Sequence, residues 1–150
     1  MKQTASAAVL AMSTIFSANN ASADSTYCQI DNRQATVQEH FTAHQVTLSG
    51  NGEEIYNSRG ALNGYQTRSI AKEFCEDGAV PPVEVNIYRP GLGLLKHLEC
   101  KNTADNSLNA TASLDWKSAA LSLSDGTTRK GDITYNRARD TALDHCAGLE

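Results

Sequence analysis

The residues best suited to chemistry in this chain are histidines that have a carboxylate nearby in sequence. Glu39, His40 and His44 lie close together, and His97 precedes Glu99 by two positions. In the His-Glu-x-x-His motif of zinc proteases the glutamate follows the first histidine, whereas Glu39 precedes His40, so the motif is absent. Because no third ligand is identifiable, we interpret His40 and His44 as partly exposed sheet residues and predict neither a metal nor a cofactor.

His97 and Glu99 have the side chains of an acid–base pair. Alternate residues of a strand face the same side, so the two would lie together on a strand. With Arg89 or His40 they could form a set that cleaves phosphodiesters, as in small secreted ribonucleases. The formal net charge of −4 opposes that substrate, because an acidic protein repels nucleic acid. A ribonuclease-like hydrolase that uses His40 and His97 is therefore an alternative hypothesis, and we do not expect nucleic acid as a partner.

The segment from Tyr88 to Gly93, Tyr-Arg-Pro-Gly-Leu-Gly, is the most suggestive of binding. Its proline and glycines predict a turn, which would expose Leu92 at the tip of a hairpin. Tyrosine and arginine are enriched among the residues that dominate protein–protein affinity. We therefore predict that Tyr88, Arg89 and Leu92 contact a partner. The alternative is that Leu92 packs beneath its own hairpin.

Four cysteines divide the chain into two matching halves. Cys28 and Cys75 are 47 positions apart, and Cys100 and Cys146 are 46 apart. In each half the second cysteine ends a helix-like segment, and an arginine, an alanine, an acidic residue and the cysteine align between the two segments without a gap. This correspondence predicts an internal duplication of a strand-strand-helix unit, with half-repeats at 28–75 and 100–146.

The first 23 residues have the features of a cleaved signal peptide. Lys2 supplies a positive start, Ala5 to Phe16 is mildly apolar, and Ala-Ser-Ala at 21–23 is a small-residue cleavage site. The apolar stretch is too short to span a bilayer. We predict a mature single domain over 24–150 that is periplasmic or secreted. Loss of Lys2 leaves 12 basic against 17 acidic side chains, a net charge of −5.

Export favours disulfides, because oxidising compartments allow them to form. The even count of four cysteines and the two matching halves predict the pairs Cys28–Cys75 and Cys100–Cys146. If the two helices packed side by side, Cys75 would instead pair with Cys146 and Cys28 with Cys100. Each of these arrangements leaves no free thiol.

Local patterns predict an α+β fold, mostly antiparallel sheet, with six to eight strands and two short helices. The alternation from Thr36 to Ser49 predicts strand, and Gly50-Asn51-Gly52 predicts a turn. One helix is predicted from a cap at Thr67 to Asp77, and Gly78 ends it. The last strand is expected at Asp132–Tyr135, followed by a final helix that Asn136 caps and whose end is followed by Gly148.

These features together favour a binding protein over an enzyme. A small, acidic, exported and disulfide-stapled domain suits an inhibitor or immunity protein whose target is a basic cell-wall hydrolase, such as a lysozyme-like effector. The expected partner is therefore another protein of basic charge. A structural or adhesive surface module is a third hypothesis. The sequence leaves the oligomeric state open, including a homodimer.

Overall fold

The computed structural model describes residues 25–39, 43–89 and 94–149. These residues form nine strands in two antiparallel sheets, ordered β1-β2-β3-β4 and β5-β6-β7-β8-β9, together with two helices. The predicted α+β class with antiparallel sheet and two helices is confirmed, although the nine described strands exceed the six to eight that were predicted. The elements are β1 (Ser25–Ile30), β2 (Arg33–Glu39), β3 (His44–Gly50), β4 (Glu53–Arg59), α1 (Gly64–Asp77), β5 (Val83–Tyr88), β6 (Leu94–Asn102), β7 (Asn109–Asp115), β8 (Ala119–Leu123), β9 (Thr128–Lys130) and α2 (Tyr135–Ala147).

Each sheet buries one face against the helix that follows it in the chain, so the molecule has two hydrophobic cores. Alternate residues of the central strands point inward, as the period of a half-buried strand requires. Strands β2 and β3 of the first half pair in the same register as β7 and β8 of the second half. The buried residues that lie opposite one another are Ala35–Leu48 and Val37–Val46 in the first pair of strands, and Ala110–Leu123 and Ala112–Leu121 in the second.

One disulfide ties each helix to a strand of its own half. Cys28 of β1 bonds Cys75 of α1, and Cys100 of β6 bonds Cys146 of α2, with Cα–Cα distances of 6.2 and 6.1 Å. The predicted pairing is confirmed, and no cysteine is free. The cysteine of β1 corresponds to the cysteine of β6, so the repeating unit contains four strands and a helix: β1–β4 with α1, and β6–β9 with α2. This unit is larger than the predicted strand-strand-helix unit. Strand β5 lies between the two copies and belongs to neither.

The helix starts differ from the predicted ones because side chains further upstream cap them. Asn63, not Thr67, is the N-cap of α1: its side chain accepts from the Gln66 N–H, and the Gln66 side chain accepts from the Asn63 N–H. This reciprocal pair satisfies two backbone donors that a helix start leaves open. In α2, Thr134 replaces Asn136 as the cap by accepting from the Arg137 N–H.

Two strand predictions were also wrong in their bounds. The predicted strand at Asp132–Tyr135 does not form: residues 132–134 lead into α2, Tyr135 is the first residue of that helix, and the last described strand is Thr128–Lys130. The alternation from Thr36 to Ser49 covers two strands, β2 and β3, which pair with each other. The ends of both helices follow the prediction, since Gly78 and Gly148 adopt the left-handed conformation at their C-caps.

The two sheets meet along a seam between β4 and β5, which lie at the edges of their respective sheets. Among the described residues, the hydrogen bonds between β4 and β5 each involve a side chain, so a backbone ladder does not join the two strands. From β4, the Tyr56 and Ser58 hydroxyls donate to the Val83 and Val85 carbonyls at 3.3 and 2.5 Å. From β5, the Glu84 and Asn86 side chains accept from the Asn57 and Arg59 N–H groups at 2.7 and 2.8 Å. These four bonds join residues 27 positions apart, so the strands run parallel and in step. A fifth bond crosses the seam from the Asn86 side-chain amide, which donates to the Asn57 carbonyl at 3.1 Å.

Candidate binding cleft at the seam

A cleft of about 910 Å³ lies at the end of the seam. Its walls come from the ends of β4 and β5, the start of β6 and the first turns of α2, so both halves contribute. Gly60, which follows β4, has a φ of +83° and lies so close to β5 that an added Cβ would collide with the Ile87 carbonyl. The polar side chains that line the cleft are Arg59, Tyr88, Arg89, Lys96, Tyr135 and Arg139.

Two of the three residues predicted to contact a partner line this cleft. Tyr88 is 41% exposed and Arg89 is also exposed, so both present their side chains at its mouth. Leu92, the third residue, lies outside the described residues with the rest of segment 90–93. The prediction that the hairpin tip protrudes therefore stays a prediction, while the strands that lead into it, β5 and β6, pair as expected.

The cleft is basic although the protein is acidic. Four of the side chains that line it are cationic, and no Asp or Glu is among its described lining residues. Arg139 forms an ion pair with its neighbour Asp140 at 3.0 Å. Arg59, Arg89 and Lys96 form no ion pair with any described residue. Positive charge is thus concentrated here against a formal net charge of −4.

Tyr135 forms part of the cleft wall at the first position of α2. The residue is only 9% exposed, and its hydroxyl has no hydrogen-bond partner among the described residues. Burial raises its pKa, an effect that the charge of Arg139 partly opposes, so the hydroxyl is a neutral donor near pH 7. The Lys96 ammonium lies 5.0 Å from the centre of its ring, within the range of a cation–π contact.

The predicted acid–base pair forms on the face of the second sheet that points away from α2. His97 Nε2 lies 3.2 Å from a Glu99 carboxylate oxygen, and the rings of His97 and Tyr88 are 5.2 Å apart. Partial burial, together with a hydrogen bond to Glu99 and the charge of Glu99, raises the pKa of Tyr88 to about 12. Tyr88 therefore belongs both to this cluster and to the cleft. His40, the other histidine of the hydrolase hypothesis, lies outside the described residues.

A smaller polar groove of about 350 Å³ continues along the same face. Glu84, Asn86, Glu99 and Lys101 line it. Glu84 accepts from a backbone N–H across the seam and lies 3.6 Å from the Lys101 ammonium. Glu84 and Asn86 both accept hydrogen bonds across the seam, so the role of these two side chains is to join the two sheets.

The remaining histidines have structural surroundings in the described parts of the chain. His145 is 3% exposed, and its Nε2 lies 2.8 Å from the Ser124 hydroxyl, which ties α2 to the end of β8. His44 packs beside Gly64 at the start of α1, where an added Cβ would lie 3.3 Å from its ring. Within residues 25–39, 43–89 and 94–149, no group of three or more His, Cys, Asp or Glu side chains could hold a metal ion.

Four residues of the cleft were not singled out by the sequence patterns, namely Arg59, Lys96, Tyr135 and Arg139. The repeat contains one signal for Arg139, which aligns with Arg68 of the first half. Arg68 forms a 2.6 Å ion pair with Glu39, which lies opposite His44 between β2 and β3. In the second half, the residue at the position of Glu39 is Leu114, which lies opposite Ala119 between β7 and β8. The second half thus has an arginine at the matching helix position but a leucine where the first half has the carboxylate.

No family model, curated protein or solved structure matches this chain. None of the described helices is long and apolar enough to cross a membrane.

Proposed function

We propose that this protein acts by binding another protein, as a periplasmic or secreted inhibitor or immunity protein. The observation that carries the proposal is the exposure of Tyr88 and Arg89 at the mouth of the cleft, where the two halves meet. Amphipathic tyrosine and arginine side chains on a preformed scaffold bind with little loss of conformational freedom. The two disulfides hold that scaffold and suit an oxidising compartment.

The proposed target is a basic cell-wall hydrolase, such as a lysozyme-like effector. The protein carries 17 acidic against 13 basic side chains, so its overall field would attract a basic partner and speed the encounter. The cations at the cleft itself would face the catalytic carboxylates of such a hydrolase, which are acidic even in a basic enzyme. Binding at the active site of such an enzyme would stop turnover at a one-to-one ratio. Leu92, if it extends from the hairpin, would enter the catalytic cleft beside Arg89.

The test begins with capture of the partner from the source cells on the purified, oxidised protein, followed by a titration of the partner's lytic activity. The variants Tyr88→Ala, Arg89→Ala and Leu92→Ala should each weaken the complex by about 2 kcal/mol or more. Tyr65→Ala is a matched control, because Tyr65 is a tyrosine on α1 that is 76% exposed and lies outside the cleft. Unchanged affinity in all three variants, or an equal loss in Tyr65→Ala, would exclude this surface.

A second candidate function rests on the contact between His97 and Glu99. A carboxylate beside an imidazole can hold it in position for proton transfer, as a hydrolase would require. Turnover of an RNA substrate that His97→Ala and Glu99→Gln abolish, without a change in melting temperature, would favour the enzyme. Loss of partner inhibition in Tyr88→Ala with no detectable turnover of any substrate would favour the inhibitor.

A further inference from the structure

We propose that the cleft also binds a small oligoanion, a compound that carries several closely spaced phosphate or carboxylate groups. This inference goes beyond the proposed protein complex, since it rests mainly on Arg59, Lys96, Tyr135 and Arg139 inside the cleft, with Arg89 at its mouth as a further cation. Three observations support it: the uncompensated charge of the cleft, the buried Tyr135 hydroxyl, and the difference between the two repeats.

The charge of the cleft calls for an anion. Arg59, Arg89 and Lys96 form no ion pair with a described residue, and they line one concave surface together with Arg139. Like charges in a cleft repel one another, and low-dielectric walls strengthen the field inside it. The guanidinium groups present planar pairs of N–H donors that match phosphate and carboxylate oxygens. Several anionic groups on one ligand would neutralise cations that come from separate strands.

The Tyr135 hydroxyl adds a specific donor. It is buried, neutral near pH 7 and without a hydrogen-bond partner among the described residues. Buried polar groups are nearly always hydrogen-bonded, so an unpaired donor in a cleft wall points to a partner that comes from outside the fold. An anionic oxygen is the strongest acceptor that a ligand could offer it. Lys96, which lies over the same ring, would bring its ammonium to that oxygen.

The comparison of the two repeats shows that the positive charge of Arg139, unlike that of Arg68, is not balanced by a carboxylate of the adjoining sheet in the described residues. In the first half, Glu39 neutralises Arg68 at 2.6 Å. In the second half, Leu114 occupies the position of that carboxylate, and the ion pair that Arg139 forms within the described residues is with the exposed Asp140. Among the described residues, the second repeat therefore has an arginine that lacks the sheet carboxylate of the first repeat and is paired with its exposed neighbour Asp140, so a ligand in the cleft could add the missing acceptor.

Isothermal titration calorimetry of the oxidised protein with inorganic tripolyphosphate tests the proposal. We expect saturable one-to-one binding that weakens as the salt concentration rises. Lys96→Gln should raise the Kd at least about tenfold, because it removes a charge-assisted contact. Lys72→Gln is the matched control: it removes the same charge from an exposed site on α1 outside the cleft, and its Kd should stay within about twofold of the wild type.

Tyr135→Phe provides a second test at constant net charge. The hydroxyl makes no bond within the described fold, so its removal should leave the melting temperature unchanged while the Kd rises at least about tenfold. An absence of binding by the wild type would overturn the proposal, as would an equal loss in Lys96→Gln and Lys72→Gln, which would indicate a general charge effect. Unchanged affinity in Tyr135→Phe would overturn the role given to the hydroxyl. Because the readout is anion affinity, these outcomes are independent of whether a protein partner is found.

Discussion

Replacing Gly60 with alanine should open the seam between the two sheets. Gly60 has a φ of +83°, and its hypothetical Cβ would collide with the Ile87 carbonyl oxygen, which is backbone and cannot rotate away. Relief of the collision requires β4 and β5 to separate. The five side-chain bonds of the seam, at 2.5 to 3.3 Å, would then lengthen or break.

The magnitude follows from two contributions to the free energy of unfolding. Alanine in the left-handed region costs about 1–2 kcal/mol relative to glycine. Loss of at least two of the five seam bonds costs about 1–3 kcal/mol more, at roughly 0.5–1.5 kcal/mol each. We therefore expect Gly60→Ala to lower the free energy of unfolding by about 2–5 kcal/mol.

Gly52→Ala is the control that isolates the collision. Gly52 has nearly the same φ, +81°, in the turn between β3 and β4, and nothing lies within 4 Å of its hypothetical Cβ. It should therefore show the backbone cost alone, about 1–2 kcal/mol. Urea unfolding of both oxidised variants, followed by circular dichroism, measures the difference. If the two variants agree within about 0.5 kcal/mol, the close approach at Gly60 does not hold the halves together.

Further predictions concern the disulfides, the acid–base cluster and the N-terminus. The double variant Cys28→Ser/Cys75→Ser should lose roughly 4 kcal/mol in urea unfolding, because the bridge closes a long loop; a loss below about 1 kcal/mol would contradict this. Ultraviolet titration should show a tyrosine with a pKa of about 12 that is missing in Tyr88→Phe and shifted downward in Glu99→Gln. Because folding raises this pKa above the ordinary value of about 10, the associated stability is fully present below pH 10 and is lost as the pH rises toward 12. Intact mass of exported protein should place the N-terminus at Asp24, and retention of residues 1–23 would contradict a cleaved leader.

The features that the sequence predicted correctly depend on neighbours in the chain or on the repeat. The α+β class followed from alternation at period two and from short helical stripes that end at glycine. Gly78 ends α1 as predicted, because a left-handed C-cap residue has a local signature. The disulfide pairing followed from the nearly equal spacing of cysteines in two matching halves, and each bridge does stay within its half.

The helix starts show where local reasoning reaches its limit. Thr67 has the right type for an N-cap, but Asn63 lies four residues earlier and forms a reciprocal pair with Gln66. Thr67 is instead buried inside the helix, where its hydroxyl donates to the Gly64 carbonyl. Several residues near a helix start can cap it, and the packing of the helix on its sheet decides which one does.

Only the tertiary structure could reveal the cleft. Arg59, Arg89, Lys96 and Arg139 come from four elements, and they meet because the edge strands β4 and β5 lie parallel and in step. The hydrogen bonds across that seam involve side chains, and such bonds produce no periodic pattern in a sequence. The amino-acid sequence by itself determined the two stapled halves, because short-range periodicity and cysteine spacing encode them. The way the halves join, and the basic cleft at their junction, depended on contacts between residues far apart in the chain.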